Sequence, residues 1–213
     1  EVVVPAGGAA SGNMIVTRND AQVSSSYAFV INSSISSLSA TEGRVGDSVV
    51  ISGAYFDADP GAGNRSTASE NVSINGTQVD TGDVTVWSDT SITALVPSAG
   101  TINGNITITA NNITSNATSF IILPQISATT ATSGTAGDAI TITGNHFDTA
   151  TGTVSINGAT TTITSWADGS ISTTIPSGGA TSGAIVVTRN ADSKTSNSYS
   201  FTILPNIDSL SPS

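Results

Sequence analysis

Residues 37–57 read SLSATEGRVGDSVVISGAYFD, and residues 129–148 read TTATSGTAGDAITITGNHFD. Gly43, Gly46, Asp47, Gly53 and Phe56 of the first stretch return as Gly134, Gly137, Asp138, Gly144 and Phe147 of the second, always 91 positions later. Between the glycines the apolar residues alternate, Val49 with Ile51 and Ile140 with Ile142. A period of two, filled by Val, Ile and Thr and bounded by Gly and Asp, is the pattern of a strand with one face buried. Each stretch therefore predicts a strand between glycine turns, with Phe56 or Phe147 closing a sandwich at the strand end.

The same correspondence extends outward in both directions. VSING at Val72 recurs at Val154, 82 positions on, so the first copy carries nine extra residues between Asp57 and Val72. WSDTSITALVP, from Trp87 to Pro97, recurs as WADGSISTTIP, from Trp166 to Pro176, and holds the only two tryptophans. Ser115, Asn116, Phe120, Leu123 and Pro124 return as Ser196, Asn197, Phe201, Leu204 and Pro205. VPAGGAASGNMIVTRN from Val4 matches IPSGGATSGAIVVTRN from Ile175, and PNIDSLSPS from Pro205 echoes Ile35 and Leu38. The organisation read from this is residues 1–31 as the end of one domain, 35–123 and 126–204 as two complete domains, and 205–213 as the first strand of a further repeat. A chain that enters in mid-repeat is expected to be a window on a longer polypeptide, or else to have residues 1–31 completed by a neighbouring chain.

Ile92 and Val96, Ile106 and Ile108, Ile171 and Ile175, and Ile185 and Val187 keep the same alternation, and no stretch has a helical period. Gly, Asn, Asp and Pro interrupt it at short intervals, as in a sandwich of about seven strands within ~80–100 residues. The ordered succession of motifs resembles the IPT/TIG family of immunoglobulin-like domains over essentially the whole chain. That resemblance implies all-β, tandem immunoglobulin-like (E-set) β-sandwiches of about seven strands each, arranged as an elongated array. Family members are strung in tandem in cell-surface receptors and bacterial surface proteins. Others are accessory modules of carbohydrate-processing enzymes or dimerisation modules of transcription factors, so the resemblance sets the fold and leaves function open.

Composition narrows the function classes. Five basic residues face fifteen acidic ones, giving a net charge of −10. Such a field repels phosphate backbones and anionic lipids, which argues against nucleic acid as a partner. There is no cysteine, so disulfides and thiolate metal sites do not arise, and no apolar run reaches the ~18 residues needed for a membrane-spanning helix. Abundant Ser, Thr, Asn and Gly with almost no Lys point to an extracellular or cell-surface location.

Four groups of residues invite a functional reading. Trp87 and Trp166 are read as packing at a core or sandwich edge, since a sugar platform ordinarily sets several exposed rings on one face. The inserted loop FDADPGAGNRSTASEN offers Asp57, Asp59 and Glu70 as oxygen ligands of the kind calcium takes, without the order of an EF-hand loop; apart from that calcium no cofactor is expected. Asn-x-Ser/Thr sequons occur at Asn32, Asn64, Asn71, Asn75, Asn105, Asn112 and Asn116, but Asn75 and its counterpart Asn157 share only Asn-Gly, the signal of a type I′ hairpin. The single histidine, His146, stands where the first copy has Tyr55, which suits packing rather than proton transfer.

These readings converge on a non-catalytic structural or adhesive stalk, or filament-forming segment, of an extracellular surface protein. The alternative is a carbohydrate-binding accessory module of a larger secreted protein. The expected partners are other repeats of the same chain or identical neighbouring chains, with a surface glycan or protein receptor as external partner, and no insertion into a membrane.

Overall fold

A computed structural model describes residues 11–177 and 181–206. The tail strand expected at 205–213 lies almost wholly outside these residues, as does the start of the N-terminal partial copy. Every regular element among the described residues is a strand, and the chain divides into two compact units, Glu1–Ile121 and Ile122–Ser213.

The first unit opens with the two short strands of the partial copy, β1 (Gly12–Met14) and β2 (Tyr27–Phe29). The first complete copy follows with β3 (Ser34–Leu38), β4 (Glu42–Gly43), β5 (Ser48–Ala54), β6 (Asn71–Ile74) and β7 (Thr77–Gln78). It ends with β8 (Val84–Ser88), β9 (Ser91–Leu95), β10 (Asn103–Ala110), β11 (Ile113–Thr114) and β12 (Thr118–Ile122). One sheet runs β3-β5-β9-β8 and the other β4-β12-β10-β6-β7, with β11 paired to β10.

In the second copy the strands are β13 (Gln125–Thr129), β14 (Ser133–Gly134), β15 (Ala139–Asn145), β16 (Thr153–Ile156) and β17 (Ala159–Thr160). They continue as β18 (Thr162–Ala167), β19 (Ser170–Thr174), β20 (Gly183–Thr188) and β21 (Tyr199–Ile203). The sheet orders are β13-β15-β19-β18 and β14-β21-β20-β16-β17, the same path as in the first copy. Each copy has seven strands of four or more residues, and the two-residue strands are edge additions.

Register shows that the copies correspond pair by pair. Gly104 faces Phe120, Gly183 faces Phe201, and Gly12 faces Phe29 in the partial copy. Ile51 faces Ile92 as Ile142 faces Ile171. The alternation read in sequence is the burial pattern observed: Val49, Ile51, Val72, Ile74, Ile92, Ile106 and Ile108 are all 1% exposed or less. In the partial copy the equivalent face stays open, with Met14 44%, Val16 69% and Tyr27 73% exposed.

Candidate functional site

The repeated Gly-x-x-Phe-Asp corner organises one end of each sandwich. Tyr55 and Asp57 both take left-handed backbone angles, φ 60° and 67°, as do His146 and Asp148 at 56° and 67°. Four such non-glycine residues in one recurring motif need compensation, since each costs ~1–3 kcal/mol. It comes from the tryptophan phrase. Phe56 N–H donates to Asp89 O at 3.0 Å, Asp57 N–H to Asp89 Oδ1 at 3.2 Å, and Trp87 Nε1 to Phe56 O at 2.9 Å. In the second copy Phe147 N–H donates to Asp168 O and Asp148 N–H to Asp168 Oδ1, while Trp166 Nε1 reaches Asp148 O at 2.9 Å.

Packing is thus what the tryptophans do. Trp87 is 4% exposed and belongs to the core. Trp166 is half-buried, its ring tilted 58° to Phe147 at 6.3 Å between centroids. His146 is 3% exposed, buried beside Phe147.

The inserted loop is built rather than slack. Arg65 holds Asp59 through two bonds, Nε to Oδ1 at 2.9 Å and Nη2 to Oδ2 at 2.6 Å, and its Nη1 donates to Val84 O at 2.8 Å. The arginine beside it keeps the Asp59 carboxyl below the ordinary carboxylate range. Ser66 Oγ donates to Val79 O and Thr81 Oγ1 to Ala62 O, so the loop is tied down to the segment that follows β6.

The three calcium candidates each have a partner within the protein. Asp57, Asp59 and Glu70 are not gathered into one donor set, and no group of three or more His, Cys, Asp or Glu is placed to hold a metal among the described residues. The reason is a preference of partners: Asp59 turns to Arg65, while Asp57 and Glu70 are both engaged by Asn111. Asn111 N–H donates to Glu70 Oε1 at 2.9 Å, and its side-chain amide donates to Asp57 Oδ2. Partial burial pushes the Glu70 carboxyl up, the Asn111 hydrogen bond opposes this, and the nearby Asp57 charge adds to it.

Several polar residues have structural roles that their sequence context did not reveal. Asn116 accepts from Ile35 N at 2.7 Å and donates to Ile35 O at 3.0 Å, and Asn197 does the same to Ile126 at the same distances. The serine before each, Ser115 or Ser196, accepts from the amide of Ile108 or Val187. The recurrence of Ser-Asn ahead of Phe was the available signal, and the missing information was which strand the amide would reach. Sequon amides are likewise spent inward: Asn64, Asn71, Asn75 and Asn116 donate Nδ2 to Pro60 O, Thr67 O, Thr101 O and Ile35 O. Asn75 and Asn157 are αL residues of two-residue hairpins, each followed by a glycine of positive φ.

A cavity of about 260 Å³ lies in the first unit beside this corner, with Tyr55, Asp57, Asp89, Ala110 and Asn111 in its wall. In the second unit the residue equivalent to Ala110 is Arg189, a fully buried guanidinium. Its Nη1 donates to His146 O and to Ile122 O, both at 2.9 Å, and Asp192 accepts from Nε at 3.0 Å and Nη2 at 2.7 Å. That pairing holds Asp192 below the ordinary carboxylate range.

Two sandwiches with one sheet path, one register and one corner define a tandem immunoglobulin-like protein. The IPT/TIG domain model matches residues 33–122 and 124–203, and the chain belongs to the IPT/TIG family. No curated protein sequence matches it. Among solved structures it is similar to the surface glycan-binding protein PbSGBP-B of Prevotella bryantii, at 17% identity and a TM-score of 0.38, over 78% of this chain and 41% of that one. It is also similar to the γ-CGTase of Bacillus clarkii, at 18% identity and a TM-score of 0.39, over 75% of this chain and 23% of that one. Plexin A4 shares 15% identity at a TM-score of 0.35, over 82% of this chain and 16% of that one. The chain spans less than half the length of the first structures it resembles, and the likeness is one of fold alone.

Proposed function

We propose that the chain is a non-catalytic spacer segment of an extracellular or cell-surface protein, its sandwiches serving as modules that set the position of other parts. One observation carries this reading: the residues that recur between copies are consumed by folding. The glycines shape turns and close approaches, the Val and Ile residues fill cores, the tryptophans and Asp89 or Asp168 brace the Phe corner, and Asn116 or Asn197 clamps the first strand. A module repeated for its surface would repeat surface residues, whereas the residues that recur here serve cores, turns and clamps. The one histidine is buried and the loop carboxylates are dispersed among internal partners, which supports a role without chemistry.

The carbohydrate-binding alternative has less support, because Trp87 offers no open face and Trp166 is half-covered. The deciding experiment replaces residues 33–203 in the natural polypeptide with two unrelated β-sandwiches of equal size. Surface display and adhesion should survive. Loss of adhesion with display intact, together with glycan binding by the isolated chain on an array, would transfer the function to the sandwich surface.

A further inference from the structure

Aligned through Gly12, Gly104 and Gly183, the three copies carry Arg18, Ala110 and Arg189 at one position. Arg189 shows what that position does: its guanidinium fills the end of the corner, bonded to the carbonyls of His146 and Ile122. In the first complete copy the residues equivalent to these two are Tyr55 and Ile31, and both line the 260 Å³ cavity together with Ala110. The cavity is therefore the place of an arginine side chain that this copy does not supply. Asp57 and Asp89, the counterparts of Asp148 and Asp168, also line it, and Glu70 stands behind Asn111, while Asp192, which accepts from Arg189 in the second copy, has no acidic counterpart in the turn after Ala110.

We infer that this cavity is a binding site for a guanidinium group, the head of an arginine side chain presented by a ligand or partner. A planar, weakly hydrated cation with five donors matches a hollow of carbonyls and carboxylates, and the second copy holds the same group in the equivalent place. The net charge of −10 favours approach of a basic partner. Both carboxylates are open to an entering group, Asp57 being exposed and Asp89 half-buried. This inference goes beyond the spacer role and does not depend on it.

The test uses the full chain, ¹⁵N-labelled, titrated with guanidinium chloride below its denaturing range and with sodium chloride at matched ionic strength. Parallel titrations use arginine amide, an arginine tripeptide and the lysine tripeptide. Saturable amide shifts at Tyr55, Asp89, Ala110 and Asn111 are expected with every guanidinium compound, with arginine bound at least ~10-fold more tightly than lysine. Binding of arginine amide as strong as that of the tripeptide would identify the side chain alone as the ligand; stronger binding of the tripeptide would identify a polypeptide source. Ala110→Arg should abolish the saturable shifts. Asp89→Asn should weaken binding ~10-fold and serves if the first variant does not fold. Arg189→Ala should create a second saturable set at His146 and Asp168. Shifts that are linear in concentration, equal to those of sodium, equal for lysine, or unchanged in Ala110→Arg would overturn the assignment.

Discussion

Gly144→Ala is the substitution that most directly probes the stretch from which the fold is read. A Cβ built at Gly144 would lie 2.0 Å from Gln125 O and 2.4 Å from Phe147 Cζ. A carbon needs ~3.3 Å from a carbonyl oxygen, so β13 and β15 would have to part by roughly 1 Å or Phe147 leave its pocket. Parting the strands exposes Ile126, now 3% exposed, at ~2 kcal/mol, and weakens the ladder bonds around Ile126 and Gly144 at ~1 kcal/mol each. The expected cost is ~3–5 kcal/mol, confined to the second copy. Gly137→Ala is the control, because Gly137 has φ 87° and open space beside it, leaving only backbone strain of ~1 kcal/mol. Urea unfolding followed by Trp166 fluorescence in a Trp87→Phe background reads the second copy alone. If Gly144→Ala costs no more than Gly137→Ala, close approach is not why glycine stands there, and the account of the corner is wrong.

Asn197→Ala removes both clamps on Ile126 and should cost ~2 kcal/mol by the same fluorescence assay, whereas loss of less than ~0.5 kcal/mol would make the clamp ornamental. Glu70→Gln tests the pH behaviour of the loop. The folded protein holds the Glu70 carboxyl above its ordinary value, so its contribution to stability is complete at pH below the ordinary carboxylate range and is lost as pH rises through the raised value. The variant should therefore match the wild type in acid and unfold at a higher temperature at neutral pH; a neutral-pH loss would show that Asn111 needs a charged acceptor.

Much of the fold was legible because it rests on period and repetition. The alternation at Val49 and Ile51 or Ile140 and Ile142 declares which face is buried, and two copies in one chain expose accidental residues by their failure to recur. What stayed hidden depends on contacts distant in sequence. Asp89 lies 32 residues from Asp57, and Asn111 lies 41 from Glu70, so neither partnership leaves a local pattern. Spacing within the loop suggested Asp57, Asp59 and Glu70 as a set, but not that Asp59 would pair with Arg65 while Asn111 would bond both Asp57 and Glu70. Buried charge at Arg189 was equally invisible, since TRN in one copy and TAN in another look like ordinary surface drift until the guanidinium is seen inside.

The differences between the copies are of two physical kinds, and only one reaches solvent. Val79 and Ala94 of the first copy are replaced by Thr161 and Thr173, all 7% exposed or less; Thr173 Oγ1 lies 2.8 Å from Thr162 O, to which it can donate, and 2.5 Å from Thr161 Oγ1, with which it shares a hydroxyl–hydroxyl hydrogen bond. Exchanging both partners of an apolar contact for a mutually satisfied hydroxyl pair is nearly neutral, so this change leaves the surface and the fold as they were. The exchange of Arg189 for Ala110 goes with the loss of its partner Asp192, for which the turn Asn111–Thr114 of the first copy has no acidic counterpart, and it leaves no internal group in the place of the guanidinium. It withdraws a cation from a ring of carbonyls and leaves the carboxylates of Asp57 and Asp89 facing a hollow. Core drift of the first kind can accumulate without consequence, whereas a vacated charge at a domain corner changes what the surface attracts. That makes Ala110, an alanine of no apparent interest in the sequence, the position where one repeated module acquires a property its neighbours lack.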